Sequence, residues 1–187
     1  MMTRLTLHTL DTAPEKAKER VEAVQKANGF IPNLIGVLAN SPQALEMYQE
    51  VSKLNSKNSL TPEEIEVVQI TAAVHNGCDF CIAGHTKIAE SRLKMSPAVV
   101  EALRTRTNID ENAKYQALAQ FTMALIDQRG QISNEELAVF KSAGYNDQNV
   151  LDVIMGVALA TLCNYANTVA QTDINPELMA FAPNRSA

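Results

Sequence analysis

The chain has 187 residues, 46% of them hydrophobic, which is enough for one compact domain with its own core and too short to argue for two. Its 16 Lys and Arg against 21 Asp and Glu give a formal charge of −5, so there is no positive excess to neutralise a phosphate backbone or an anionic membrane, and nucleic-acid and membrane binding are not expected. Three cysteines make no stapling framework, and in a reducing compartment the three-residue spacing of Cys78 and Cys81 points to redox or metal chemistry.

Residues 1–16 include Arg4 but no continuous apolar stretch of the length a signal peptide or membrane span needs, so a cytoplasmic location is expected. Helix starts are then signalled at Thr12-Ala13-Pro14-Glu15, Ser41-Pro42, Thr61-Pro62-Glu63-Glu64, Ser96-Pro97 and Ser133-Asn134-Glu135-Glu136. Each offers a capping hydroxyl, several with proline at the first helical position or a reciprocal Glu three residues on. Stops are expected at Asn28-Gly29, Asn76-Gly77, Gly130 and Gly144, where a left-handed residue ends a helix cheaply. No segment alternates apolar and polar residues between hairpin turns, which predicts an all-α fold of seven or eight helices. The expected organisation is a single domain over 1–187: an N-terminal helical segment at about 1–57, a helical hairpin at about 61–94, C-terminal helices at about 97–170 and a tail at 171–187.

The chemistry concentrates in the hairpin. Ile65, Val67, Val68, Ile70, Ala72, Ala73 and Val74 leave the first helix almost no polar stripe, so it should be buried on most sides and Glu66 should need a specific partner, more so than Glu63 or Glu64. Asn76-Gly77 ends that helix and places Cys78 at the start of the next, Asp79 to about Leu93, where free amides and the positive dipole end favour thiolate. Helical residues three apart have Cα atoms roughly 5 Å from each other, inside the window of about 4.4–6.8 Å in which a disulfide closes. His85 follows Cys81 by four residues and Cys78 by seven, so all three share one face. Glu66 lies eleven residues before Gly77 and His85 eight after it. Folded antiparallel, the two differ by about 4.5 Å along the axis, a gap that side chains or one water can span. Glu66 can then orient His85, and His85 can take the proton from Cys81.

The spacing of Glu66, Cys78, Cys81 and His85 resembles the signature of the alkyl hydroperoxide reductase D (AhpD)-like proteins of the carboxymuconolactone decarboxylase superfamily. The resemblance extends through Gly29-Phe30-Ile31-Pro32-Asn33-Leu34, Ser41-Pro42-Gln43-Ala44-Leu45, Glu135-Glu136-Leu137 and Asn164-Tyr165-Ala166-Asn167, and points to the peroxidase-related branch. It implies an AhpD-like helical bundle, a trimeric or hexameric homo-oligomer, and an antioxidant alkylhydroperoxidase. In that reading Cys81 attacks the peroxide and becomes a sulfenic acid, Cys78 resolves it to a disulfide and serves as proton donor, and Glu66 with His85 forms the proton relay. The implied partners are a small hydroperoxide and a dithiol reductant or redox adaptor protein, with no cofactor and no metal. Well-characterised members carry a histidine immediately before the second cysteine; Phe80 stands there in this chain, which implies a shorter relay and weaker activity. The decarboxylase branch lacks the cysteine pair, which argues against lactone decarboxylation.

Other readings of the same residues remain. A disulfide closing a ring of about four residues stabilises by only about 2 kcal/mol, a poor reason for a purely structural bridge. Zinc would need Cys78, Cys81 and His85 with Glu66 or His75, without a second CxxC in the chain. Covalent haem is excluded by Ile82 directly after Cys81. The same disulfide could serve a non-catalytic oligomeric redox sensor or adaptor. His75 reads either as a helix C-terminal cap or as a thiolate partner, and Cys163, in an apolar stretch, reads as inert core.

Overall fold

A computed structural model describes residues 3–183, and among them every regular element is helical. The α-helices are α1 (Glu15–Asn28), α2 (Asn33–Leu38), α3 (Pro42–Asn55), α4 (Pro62–His75), α5 (Asp79–Lys87), α6 (Pro97–Thr105), α7 (Ala113–Asp127), α8 (Asn134–Ser142) and α9 (Asp147–Ala170). The last turn of α5 runs on into a π-helical turn, Ile88–Arg92, and a 3-10 helix, Pro176–Phe181, follows α9. The all-α expectation holds, with nine α-helices among the described residues in place of seven or eight. The starts that no Ser or Thr announces are the short α2 after Pro32, α5 after Cys78, and α7 and α9, which are capped by Asn112 and Asn146.

Cap chemistry explains most of the boundaries. Ser41, Thr61 and Ser133 each accept from the backbone N–H three residues on, and Glu64 and Glu136 complete two capping boxes. Two hydroxyls expected to cap do other work. Thr12 Oγ1 accepts from Thr9 N at 2.9 Å, so α1 starts after Pro14 with no side-chain cap. Ser96 Oγ donates to the Glu111 carboxylate at 2.6 Å instead of capping α6. All four glycines expected to end helices take positive φ.

Helix α4 is the centre of the molecule. It packs against α5, α6, α7 and α9, and apart from Ile65 every residue from Glu64 to Ala73 is buried. That burial follows from a helix that is apolar nearly all round, since it must be covered on every side. One apolar cluster forms where α4 meets α6, α7 and α9, including the stacked rings of Phe121, Phe140 and Tyr145. A second gathers α1, α2, α3 and α5 around Leu45, Ala73 and Ile82 and contains all three cysteines.

Helix α9 has 24 residues and is long and apolar enough, by length and composition, to cross a membrane. Its buried side, including Val153, Gly156, Ala160 and Asn167, lies in the interior, and the helix packs against α2, α3, α4, α5 and α7. Its length therefore serves the core. Its other side leaves Leu151, Ile154, Tyr165 and Val169 exposed.

Because α4 carries both the central core and one side of the site, its start matters more than a surface cap usually does. Thr61→Ala is expected to lower the free energy of unfolding by about 1 kcal/mol, read as a lower urea midpoint at unchanged slope.

Candidate functional site

The reversal of direction between α4 and α5 is made by Asn76 and Gly77. Gly77 has φ +68°, a region that side-chain-bearing residues avoid, and Cys78 N reaches back to Ala73 O at 2.9 Å. Asn76 Nδ2 donates to Asn164 Oδ1 at 2.9 Å, which ties the turn to α9. Cys78 then stands at the N-cap of α5 in extended conformation, its sulfur accepting from Cys81 N at 3.3 Å. Cys81 is one turn into the helix, close to the free amides of its N-terminus.

Both sulfurs are buried, at 3% and 4% exposure, and both are free thiols. Their Sγ atoms are 2.6 Å apart, with Cys78 donating to Cys81, so closing an S–S bond of about 2.05 Å takes less than an ångström of movement. Asn167 Nδ2 from α9 donates to Cys81 Sγ at 3.3 Å. Cys81 thus accepts hydrogen bonds from a thiol and an amide, an arrangement suited to negative charge on that sulfur. Cys78 is the opposite case. Its hydrogen bond to Cys81, its burial and the neighbouring sulfur's charge push its pKa far above the usual thiol value. At Cys78, where the helix N-terminus was expected to favour the thiolate, the hydrogen bond to Cys81, burial and the neighbouring sulfur outweigh the free amides.

Glu66, 6% exposed, meets His85 directly: Nδ1–H donates to Glu66 Oε2 at 2.8 Å. Two side chains span the gap between the antiparallel helices without a bridging water. Burial disfavours the charged imidazole, but the Glu66 carboxylate outweighs it, and the His85 pKa lies above its ordinary value. With Nδ1 committed to Glu66, Nε2 is the nitrogen left to exchange a proton.

Cys81 and His85 open on a cavity of about 440 Å³, and Cys78 does not line it. The walls are mainly apolar, from Phe30, Leu34, Ile35, Phe80, Leu159 and Leu178. Phe80, which occupies the position of the expected relay histidine, is a wall of this cavity. Leu178 comes from the 3-10 helix, so the segment read as a tail packs against α5 and helps to close the site.

Glu64 is as buried as Glu66, and it too has specific partners, Lys114 at 2.8 Å and the Tyr145 hydroxyl at 3.0 Å, so burial did not single out Glu66. His75 Nε2 pairs with Asp127 at 2.9 Å, joining α4 to α7. Cys163 is buried, as expected of a core residue, but it also lines the cavity, where burial pushes its pKa up to about 12. Tyr48, another lining residue, is likewise pushed up to about 12 by burial. No group of three or more His, Cys, Asp or Glu able to hold a metal ion occurs among the described residues. Asn167 was not identified from the sequence as a contact of the cysteines. The available signal was two asparagines, Asn164 and Asn167, three apart on the buried side of an apolar helix, where each needs a partner.

Residues 42–125 match the carboxymuconolactone decarboxylase family. No curated protein sequence matches the chain at a significant level. Among solved structures, an uncharacterised peroxidase-related protein from Ralstonia eutropha JMP134, described as an alkylhydroperoxidase AhpD core, superposes with a TM-score of 0.84 at 19% identity over 100% of this chain and 99% of that one. An uncharacterised peroxidase-related protein from Silicibacter sp. TM1040 gives 0.78 at 19% identity, covering 95% of each chain. A cysteine-to-alanine variant of the debrominase Bmp8, in complex with 2,3,4-tribromopyrrole, gives 0.78 at 17% identity over 97% of this chain and 96% of that one. At these identities the likeness establishes the fold.

The raised His85 pKa makes the Glu66–His85 pair pH-dependent. Its stabilisation is fully present below the ordinary imidazole value of 6.5 and is lost as the pH rises through the raised value. The stability difference between the wild type and His85→Gln should therefore shrink as pH rises above the ordinary imidazole value, measured by urea denaturation at a series of pH values. In Glu66→Gln, the His85 imidazole resonances should titrate at lower pH than in the wild type.

Proposed function

We propose that this chain, which carries a domain of the carboxymuconolactone decarboxylase family in an AhpD-like fold, is a dithiol peroxidase that reduces organic hydroperoxides through the Cys78–Cys81 pair. One observation carries the division of labour: Cys81 lines the cavity and accepts hydrogen bonds, whereas Cys78 lies behind it and donates one.

In the first step the Cys81 thiolate attacks the outer oxygen of ROOH. The O–O bond breaks, Cys81 becomes the sulfenic acid, and RO⁻ takes a proton to leave as ROH. His85, oriented by Glu66 through Nδ1, is the acid at the cavity wall and the base that earlier receives the thiol proton. In the second step the Cys78 sulfur attacks the Cys81 sulfenic sulfur, an S–S bond forms and water leaves. The two thiols lose two electrons and ROOH gains them. An external dithiol, small or protein-borne, then returns the pair to the reduced state. Asn167 supplies a hydrogen bond to the attacking sulfur in a chain where Phe80 removes the second histidine of the expected relay.

The aromatic side chains of Phe30, Tyr48 and Phe80 around the cavity also suit a flat halogenated ring, the ligand type bound by the debrominase of similar fold. The same dithiol would then turn an aryl bromide into the arene and bromide while forming the same disulfide. Organic hydroperoxide is the preferred oxidant because the imidazole at the wall suits proton delivery to an alkoxide. We further propose a cytoplasmic homo-oligomer, in which a second copy covers the exposed side chains of Leu151, Ile154, Tyr165 and Val169 on α9.

In a Cys163→Ala background, one equivalent of cumene hydroperoxide should consume both remaining thiols. Cys81→Ser should abolish consumption, and Cys78→Ser should permit a single sulfenylation trapped by dimedone. Unchanged peroxide loss in Cys81→Ser, or bromide release from a bromopyrrole without any peroxide loss in the parent, refutes the peroxidase reading. Asn167→Ala should slow the sulfenylation step about tenfold, as expected for loss of one hydrogen bond to a charged group.

A further inference from the structure

The cavity has a charge pattern that reduction of a hydroperoxide by Cys81 does not use. No acidic side chain lines it, although the chain as a whole carries a charge of −5. Two cationic side chains do: Lys87, half-buried near the end of α5, and Arg92, exposed at the end of the π-helical turn. Lys87 Nζ stands 5.9 Å from the centre of the Phe30 ring, itself a cavity wall, and donates to Glu177 O at 3.2 Å. These contacts hold the ammonium at the cavity without neutralising it. The Arg92 guanidinium has no ion-pair or hydrogen-bond partner among the described residues.

The placement is directional. Cys81, His85, Ile88 and Arg92 follow one another at spacings of four, three and four residues along one continuous helical run, and all four line the cavity. Helical side chains lean toward the N-terminus, so Arg92 leans back along the cavity toward Cys81. The cavity that holds both the guanidinium and the sulfur is walled by apolar side chains, among them Phe80, Ile88, Leu159 and Leu178. The π-helical turn contributes to this arrangement, because Leu93 N donates to Ile88 O at 3.0 Å, five residues back, and the run is widened just where Ile88 and Arg92 meet the cavity.

We infer that this cavity binds an apolar molecule ending in a single carboxylate, its hydrocarbon body along the apolar walls and its carboxylate on Arg92 and Lys87, with the far end of the molecule delivered to Cys81. A guanidinium takes a carboxylate in bidentate fashion, and a long apolar body gains from a water-poor channel. If the peroxidase reading holds, the substrate is the hydroperoxide of such an acid, with the peroxide group remote from the carboxylate. The ligand assignment rests on that reading only for this last step, since binding involves no electron transfer.

The test is equilibrium binding by calorimetry, with decanoate and methyl decanoate as probes and the full-length Cys81→Ser chain as receptor, so that no thiol chemistry intervenes. Decanoate should bind about tenfold more tightly than its ester, as expected for a charge-assisted pair at a partly exposed site, and the preference should shrink at high salt. Adding Arg92→Gln with Lys87→Gln should remove the preference while leaving ester binding unchanged, whereas Arg92→Lys alone should keep most of it. Neither cation is buried, so these variants should fold normally. Equal affinity for the two probes in the receptor, or a decanoate preference that survives loss of both cations, overturns the inference. A protein that binds decanoate in this pattern but consumes no organic hydroperoxide upholds the ligand assignment and refutes the peroxidase reading alone.

Discussion

The site depends on one hydrogen bond between two helices, from His85 on α5 to Glu66 on α4. Glu66 lies on the most enclosed helix in the molecule, where an unpaired carboxylate is costly, and His85 is the partner that relieves it. Loss of either side chain leaves the other's requirement unmet. That mutual requirement sets the register of α5 on α4, and the register determines which residues of α5 turn inward. Given His85 on Glu66, the residue one turn earlier, Cys81, falls under α9, and Cys78 falls at the turn behind it. The chemistry of the pair is thus a consequence of a packing constraint.

Charge is distributed around the pair so that the two sulfurs differ. Cys78 accepts a backbone N–H and donates its own proton; Cys81 accepts from Cys78 and from Asn167. Two chemically identical thiols three residues apart are made into a donor and an acceptor by what surrounds them. Burial acts in the same direction, because a buried thiol without donors resists ionisation, as Cys163 does in the same cavity. Cys81, also buried, differs from Cys163 in the two donors its sulfur accepts from.

The last third of the chain supplies much of this. Helix α9 contributes Asn167 to Cys81, Asn164 to the turn before Cys78, and Leu159 and Cys163 to the cavity wall. The 3-10 helix after it adds Leu178. A site whose sequence signature is confined to residues 66–85 is completed by segments some eighty to a hundred positions further on.

Local chemistry was legible in the sequence. Capping boxes at Thr61 and Ser133 and glycines at positions of positive φ involve residues within a few positions of each other, and they fold as their neighbours dictate. The placement of Glu66, Cys78, Cys81 and His85 on facing helices followed from helical periodicity and one turn, because the whole motif spans a single hairpin. Where a side chain had a choice of partners, the sequence was insufficient. Thr12 and Ser96 hydroxyls bond elsewhere than at helix ends, and Glu64 proved as buried and as specifically paired as Glu66. Tertiary packing alone decided which sulfur faces the cavity and which lies behind it. Those outcomes depend on α9 and the C-terminal 3-10 helix lying over α5, contacts between residues far apart in the chain that no local pattern encodes.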